Sequence, residues 1–201
     1  MSHYFSSDPG RKPNRKEIIF RFLGSAETFI SDDGVFSKST LDFGSRVLLE
    51  TVNPLPLAGK LLDLGCGLGY MGIMLKKYHP QLNVHMIDIN ETAVQLAQEN
   101  SRLYGQDNSV YVSDGLSGVS DRFDTIVCNP PIRTGKQNVY RLLEEAYQHL
   151  EDDGVLYSVI RKKQGAESAV SYLNGFSQTS VINRENGYWI IRTVRPSADI
   201  K

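Results

Sequence analysis

Cysteine is scarce in this chain, with only Cys66 and Cys128, and both fall inside apolar, patterned stretches rather than in paired loops. That excludes a disulfide-stapled secreted scaffold and points to reduced thiols in the cytoplasm. Long apolar runs are missing as well, since nothing approaches the roughly 18 residues of a membrane-spanning helix. The N-terminus is polar, and its first apolar run, Ile18 to Leu23, is short and broken by Arg21, unlike a secretory signal. No membrane partner is expected. Histidine is sparse, and His3, His79, His85 and His149 show no ligand spacing with one another or with cysteine, so no metal is expected. Excess charge of either sign is absent too. Twenty-two basic and 23 acidic residues leave a formal net charge of −1, so any anionic partner must be held by local clusters. A length of 201 residues fits one domain with a single large core.

What is present centres on Leu61-Leu62-Asp63-Leu64-Gly65-Cys66-Gly67-Leu68-Gly69-Tyr70. An apolar run closes on an acid, turns on three alternating glycines and enters a helical pattern through Met71, Ile73, Met74 and Leu75. This reads as a buried strand, a tight turn free of Cβ atoms and a helix N-terminus. Backbone can approach a ligand closely there, and the amides at the helix start are expected to serve as donors.

Before this stretch, residues 1–16 carry Arg11, Lys12, Arg15 and Lys16 and read as a basic arm, either solvated or settled on phosphates. Ile18 to Leu23 and Thr28 to Ile30 flank Gly24-Ser25 and predict a β-hairpin, followed by a turn at Asp32-Asp33-Gly34. Ser39-Thr40-Leu41-Asp42 predicts a helix-opening cap, and Asn53-Pro54-Leu55-Pro56 stops that helix. From Lys60 onward strands alternate with helices: strands at 61–64, 82–88, 109–113, 123–128 and 155–160, and helices near 70–78, 91–104, 139–150 and 165–174. Asp152-Asp153-Gly154 is expected as a turn. The alternation predicts right-handed βαβ units and a parallel sheet. The ending departs from it, because Asn186-Gly187 between two β-rich runs predicts a hairpin whose last strand is antiparallel.

The glycine spacing is neither the Gly-x-Gly-x-x-Gly of dinucleotide sites nor a P-loop. Asp88 closes the second strand of the alternating region, where a carboxylate can accept two ribose hydroxyls, and Asp114-Gly115 closes the third. With these features the chain resembles a class I S-adenosylmethionine-dependent methyltransferase over about residues 35–195. The resemblance implies an α/β, Rossmann-like fold: a seven-stranded, mostly parallel sheet with a C-terminal antiparallel hairpin and helices on both faces, preceded by the N-terminal β-hairpin. The implied layout is an arm at 1–16 and one methyltransferase domain at 17–201, with the hairpin at 17–34 and the cofactor-binding core at 60–195. It further implies that S-adenosyl-L-methionine is held by Asp63, Gly65, Cys66 and Gly67 at its amino-acid end. Asp88 and Ile89 are implied at the ribose, and Asp114 and Gly115 at the adenine.

The fourth strand runs into Asn129-Pro130-Pro131-Ile132-Arg133. Two prolines stiffen the backbone and carry no amides, so the Asn129 side-chain oxygen and the Pro130 carbonyl can form a rigid pair of acceptors. A planar amino group could donate both hydrogens to that pair and aim its lone pair at a methyl carbon. The stretch resembles the motif of enzymes that methylate adenine N6, glutamine N5 or guanine N2. Gly34-Val35-Phe36-Ser37 and Leu41-Asp42-Phe43-Gly44-Ser45 resemble the bacterial small-subunit rRNA guanine-N2 methyltransferases, the small-subunit methyltransferase C group. That implies Asn129, Pro130, Pro131 and Ile132 as catalytic residues, Asn129 and Phe36 also at the cofactor, and ribosomal RNA or the small ribosomal subunit as partner. Phe36 reads equally as a core aromatic. Arg133, Lys136, Lys162 and Lys163 are candidate RNA contacts, with solvated loop charges as the plainer reading. The chain departs from the motif at Ile132, where an aromatic usually stacks on the flipped base. Larger relatives also carry a second, N-terminal copy of the domain. A protein glutamine-N5 methyltransferase and a non-catalytic cofactor-binding module are the alternative readings; a nicotinamide-dependent dehydrogenase is a more remote one.

Overall fold

The computed structural model describes residues 14–32 and 41–196. A two-stranded antiparallel hairpin, β1 (Arg15–Phe22) and β2 (Ser25–Asp32), precedes α1 (Phe43–Val52). Then follow β3 (Lys60–Leu64), α2 (Tyr70–Tyr78), β4 (Asn83–Asp88), α3 (Glu91–Leu103), β5 (Ser109–Val112) and β6 (Phe123–Cys128). The chain continues through α4 (Lys136–Gln148), β7 (Leu150–Arg161), α5 (Ala166–Leu173), β8 (Gln178–Glu185) and β9 (Tyr188–Val194). Single 3-10 turns, at Ile132–Thr134 and Lys162–Gln164, follow β6 and β7.

The main sheet has seven strands in the order β5-β4-β3-β6-β7-β9-β8. Strands β3 to β7 are parallel, and β9 runs antiparallel to both β7 and β8. The Asn186-Gly187 turn closes this last hairpin with positive φ at both residues, 47° and 81°, the backbone that matches strand twist. Strand order reverses between β3 and β6, and their carboxyl ends therefore frame the crevice in which open α/β sheets bind ligands.

Alternation along each strand sorts side chains between two cores. Leu61, Val84, Met86, Val127 and Val159 meet α1, α2, α3 and the hairpin on one face. Leu62, Leu64, Ile126, Leu156 and Ile160 meet α4 and α5 on the other. Asp63 and Asn129 keep phase with Leu61 and Val127, which turns both toward the α1–α2 face.

The hairpin is not an appendage. Buried Glu27 accepts from Lys77 Nζ at 2.6 Å and from the Tyr104 hydroxyl at 2.8 Å, and Phe22 and Phe29 are fully buried. Its first strand starts at Arg15, inside the stretch expected as a loose arm, because Arg15 pairs with Asp32 at 3.7 Å and with Glu99 at 3.5 Å. Its turn is Leu23-Gly24, with φ of 48° and 83°, rather than Gly24-Ser25. Residues 1–13 of the arm, Gly34, Phe36, Ser39 and Thr40 lie outside the described residues.

Of the expected cap Leu41 and Asp42 are described, and Asp42 is the α1 N-cap, its carboxylate accepting the Ser45 amide at 3.0 Å. The expected turn at Asp152-Asp153-Gly154 lies within β7 as an excursion. Pairing jumps from Phe123↔Leu150 to Thr125↔Val155, which leaves residues 151–154 out of register. Gly154 makes that possible, since a Cβ there would sit 2.8 Å from the Phe123 carbonyl oxygen.

Candidate active site

The three glycines after β3 do different things. Gly65, Gly67 and Gly69 all have positive φ, at 74°, 56° and 84°. A Cβ on Gly65 or Gly67 would meet nothing within 4 Å, so those two leave open space above the turn. A Cβ on Gly69 would come within 3.0 Å of Ala97 Cβ and Ile73 Cδ1, so Gly69 serves the packing of α2 on α3. The turn's amides are mostly not the free donors expected. Those of Gly65 and Cys66 both donate to the Ile87 carbonyl at 2.9 Å, Gly67 donates to Asp88 Oδ2 at 2.9 Å, and Gly69 to the Cys66 carbonyl at 2.9 Å. The end of β4 consumes the first three of them to hold the turn's shape. Asn100 fastens it from below, donating to the Leu68 carbonyl at 2.9 Å.

Asp63 is fully buried beneath this turn. Its Oδ2 accepts the Gly72 amide at 2.9 Å, and its Oδ1 has no hydrogen-bond partner among the described residues. Burial, with a smaller contribution from the charge of Asp88, raises its pKa to about 7 against the relief given by the Gly72 amide. Asp88 is half-buried at the end of β4, with Oδ1 on the Asn90 amide at 2.9 Å and Oδ2 on Gly67. Burial raises its pKa too, and the amides of Asn90, Gly67 and Ile89 pull it back. Burial pushes both thiols up, so Cys66 and Cys128 remain protonated, and they are not bonded to each other.

Asp114 is exposed, and its Oδ1 accepts from Arg141 at 2.9 Å on α4. Gly115 is buried against α4, where Glu145 also accepts the Leu116 amide at 3.1 Å. Arg141 was not identified from sequence; it reads there as an ordinary charge on the polar side of a helix.

Asn129 follows directly on β6. Its Nδ2 donates to Asp42 Oδ2 at 2.8 Å and to Ser45 Oγ at 2.9 Å. Its Oδ1 accepts no hydrogen bond among the described residues. The Pro131 carbonyl is taken by Thr134, through its amide at 3.0 Å and its hydroxyl at 2.7 Å, whereas no hydrogen bond of the described residues reaches the Pro130 carbonyl. Ile132 is half-buried and lines a cavity of about 190 Å³ with Val139, Tyr140, Ile160 and Ala169. The aromatic side chains near Asn129 are instead on α1 and the terminal hairpin. Phe43 and Tyr188 have ring centroids 5.5 Å apart, with Arg46 lying 4.7 Å from the Phe43 centroid and Arg161 5.5 Å from that of Tyr188.

Arg133, Lys136, Lys162 and Lys163 are all exposed at the carboxyl ends of β6 and β7. Arg161 and Arg184 extend that rim, and Arg184 lies 4.6 Å from the Trp189 ring centroid. Acids gather at the opposite end of the sheet, where Asp121, Glu151 and Asp124 all act on Lys60.

A parallel sheet reversed at β3/β6, an acid under a glycine turn and an Asn-Pro-Pro acceptor loop together define a class I methyltransferase. Residues 26–192 match the family model of the methyltransferase small domain, and the chain belongs to that family. It is 42% identical over 194 residues to the uncharacterised Bacillus subtilis protein YbxB, covering 94% of this chain and 96% of that one. It is 37% identical over 151 residues to ribosomal RNA small subunit methyltransferase C of Vibrio cholerae, which spans 72% of this chain and 43% of that relative. The chain thus covers less than half the length of that rRNA methyltransferase. A Thermus thermophilus 16S rRNA N2 methyltransferase, solved with AdoMet and guanosine, superposes with a TM-score of 0.80 at 23% identity, over 90% of this chain and 51% of that one. The family's methyl donor is S-adenosyl-L-methionine. The site suits it: two open glycines leave room for the ligand, and the unpartnered carboxylate oxygen of Asp63 complements a cationic ammonium group.

Proposed function

We propose that this protein methylates an exocyclic amino group of RNA, most specifically guanine N2 of 16S rRNA. The observation that carries this reading is the pair of acceptors beside the sheet's switch point: Asn129 Oδ1 and the Pro130 carbonyl, neither taken by a described residue. S-adenosylmethionine, when bound, supplies an electrophilic methyl group on a sulfonium. In this reading Asp63, Gly65, Cys66 and Gly67 receive its amino-acid end, Asp88 with Ile89 its ribose, and Asp114 with Gly115 its adenine.

The chain's own contribution is orientation. Two acceptors fixed by the rigid Pro130-Pro131 backbone take both hydrogens of a planar amino group and turn its lone pair out of conjugation. Positioning of this kind supplies roughly 7–11 kcal/mol in well-oriented systems. The same two oxygens stabilise positive charge as it develops on the nitrogen. A strong base is unnecessary before transfer, because the amine becomes acidic only as it is alkylated.

The exposed rim of Arg133, Lys136, Lys162 and Lys163 lies along the edge from which a nucleotide would reach Asn129, while Asp121, Asp124 and Glu151 lie at the far end of the sheet. With Ile132 unable to stack strongly, the Phe43–Tyr188 pair and its flanking guanidiniums are the surface available to an extruded base.

The test is incubation with labelled S-adenosylmethionine and small ribosomal subunits or naked rRNA from a strain lacking the protein, followed by mass analysis of nucleosides. N2-methylguanosine is expected. Label in ribosomal protein instead would replace this reading with glutamine N5 methylation. Asn129→Ala is expected to retain cofactor affinity and lose transfer; equal loss of both would make Asn129 structural.

A further inference from the structure

Asn129 meets the first turn of α1 across 87 and 84 residues of sequence, through Asp42 Oδ2 at 2.8 Å and Ser45 Oγ at 2.9 Å. The orientation of its amide follows from chemistry. A carboxylate only accepts, so the nitrogen end of Asn129 must face Asp42, and both Nδ2 hydrogens are used. The oxygen end is therefore turned away from α1.

Helix capping does not account for this arrangement. The cap requires only that Asp42 accept the Ser45 amide, at 3.0 Å, and asparagine, serine or threonine would serve nearly as well. The Ser45 hydroxyl has no part in a cap at all. Gly44 keeps the arrangement open, because a Cβ there would lie 3.1 Å from Asp42 Oδ2 and 3.0 Å from the Tyr188 ring.

We propose that Asp42 and Ser45 are positioning residues for methyl transfer. They lock the Asn129 amide with Oδ1 presented to the target amino group, and the Asp42 charge polarises that amide so that Oδ1 is the stronger acceptor. The proposal rests on reading Asn129 as the acceptor of the target amine. Without the lock, rotation about the last side-chain bond would present Nδ2 to an amino group that can only donate, and misplacement of that kind costs about 100-fold in rate.

Three variants separate the roles. Asp42→Ser keeps a capping residue too short for Asn129, Ser45→Ala removes one acceptor, and Asp42→Asn keeps the length without the charge. Single-turnover transfer is measured on whichever component of the small-subunit particle the wild type labels, RNA or protein, beside calorimetric cofactor affinity and Tm. Asp42→Ser is expected to slow transfer about 100-fold and Ser45→Ala about tenfold, with cofactor affinity within about twofold. Asp42→Asn is expected to recover part of the rate. Wild-type transfer by Asp42→Ser, or a loss of cofactor affinity in step with the rate, overturns the proposal.

If the wild type labels neither component, the methyl-transfer reading of the site fails separately. The lock is then judged by the side-chain ¹⁵N–¹H signals of Asn129. Two well-separated, slowly exchanging protons that merge in Asp42→Ser support it; an unchanged spectrum overturns it.

Discussion

Asp63 and Gly72 share one hydrogen bond, from the Gly72 amide to Oδ2 at 2.9 Å, and the other carboxylate oxygen is buried without a partner among the described residues. One bond does not compensate for full burial, and the pKa stands at about 7. The sign follows. The unfolded chain releases this proton near pH 4 and the folded one near 7, so the residue's contribution to stability declines as pH rises through that window. Only the ionised form complements an ammonium group, so cofactor affinity is expected to rise roughly tenfold between pH 6 and 8. Calorimetry at pH 6.5 in buffers of different ionisation enthalpy should detect proton release on binding. Asp63→Asn should flatten both pH profiles and weaken binding; a pH-dependent affinity surviving in that variant would mean another group titrates.

Asn100 carries a second relationship, between the N-terminal hairpin and the glycine turn. Wholly buried in α3, it accepts the Ile30 amide at 2.7 Å and donates to the carbonyls of Ile30 at 3.0 Å and Leu68 at 2.9 Å. Asn100→Ala strands three buried backbone groups at a cost of about 2–4 kcal/mol, and Tm should fall by about 5–10 °C. Because Leu68 belongs to the turn, cofactor affinity should fall as well, and amide exchange should quicken in both β2 and residues 65–69. A stability loss confined to the hairpin would show that the two are not coupled.

Leu23 sits in the left-handed region at φ 48° and the residue is 61% exposed. That backbone costs a leucine about 1–2 kcal/mol, and little apolar burial compensates for it. Leu23→Asn should therefore raise stability by about 1 kcal/mol, measured as a higher denaturant midpoint at unchanged slope. Lowered stability would mean that Leu23 makes a contact in solution beyond those described.

The local patterns were legible in the sequence: the strand–helix alternation, the Gly65–Gly69 turn, the terminal Asn186-Gly187 hairpin and the acids closing β3 and β4. Each depends on neighbours a few positions apart, at the scale where periodicity and turn chemistry act. What stayed hidden joins distant segments. Asn100 looks like any polar residue inside a helix, yet its partners lie 70 and 32 positions away. Asp42 reads in the sequence as a cap residue within a family-like stretch, with no sign of Asn129, to which the packing of α1 beside β6 brings it. Arg141 gave no sign that it would engage Asp114, and the amides of the glycine turn looked free until β4 was seen to occupy them. The excursion at 151–154 looks like a turn in the sequence, which does not reveal a strand that continues on both sides of one.

Lys162 and Lys163 stand at the 3-10 turn after β7, and the ion pair there, Lys162 to Glu167 at 3.3 Å, joins two exposed groups. Exposed pairs of this kind contribute little to folding, so both lysines can be reversed without disturbing the core. If the carboxyl-end rim receives RNA, the double variant Lys162→Glu/Lys163→Glu should bind a small-subunit rRNA transcript at least tenfold more weakly at moderate salt. Its plot of log affinity against log salt should be shallower by about 1.5–2, because two fewer phosphates are neutralised. Cofactor affinity, which the proposed site sets at the glycine turn, should not change. An equal change made at the acidic end, Asp121→Lys/Glu151→Lys, gives the decisive contrast. If that pair alters the salt slope and the lysine pair does not, RNA approaches from the opposite end of the sheet, and Asn129 is not where its base arrives.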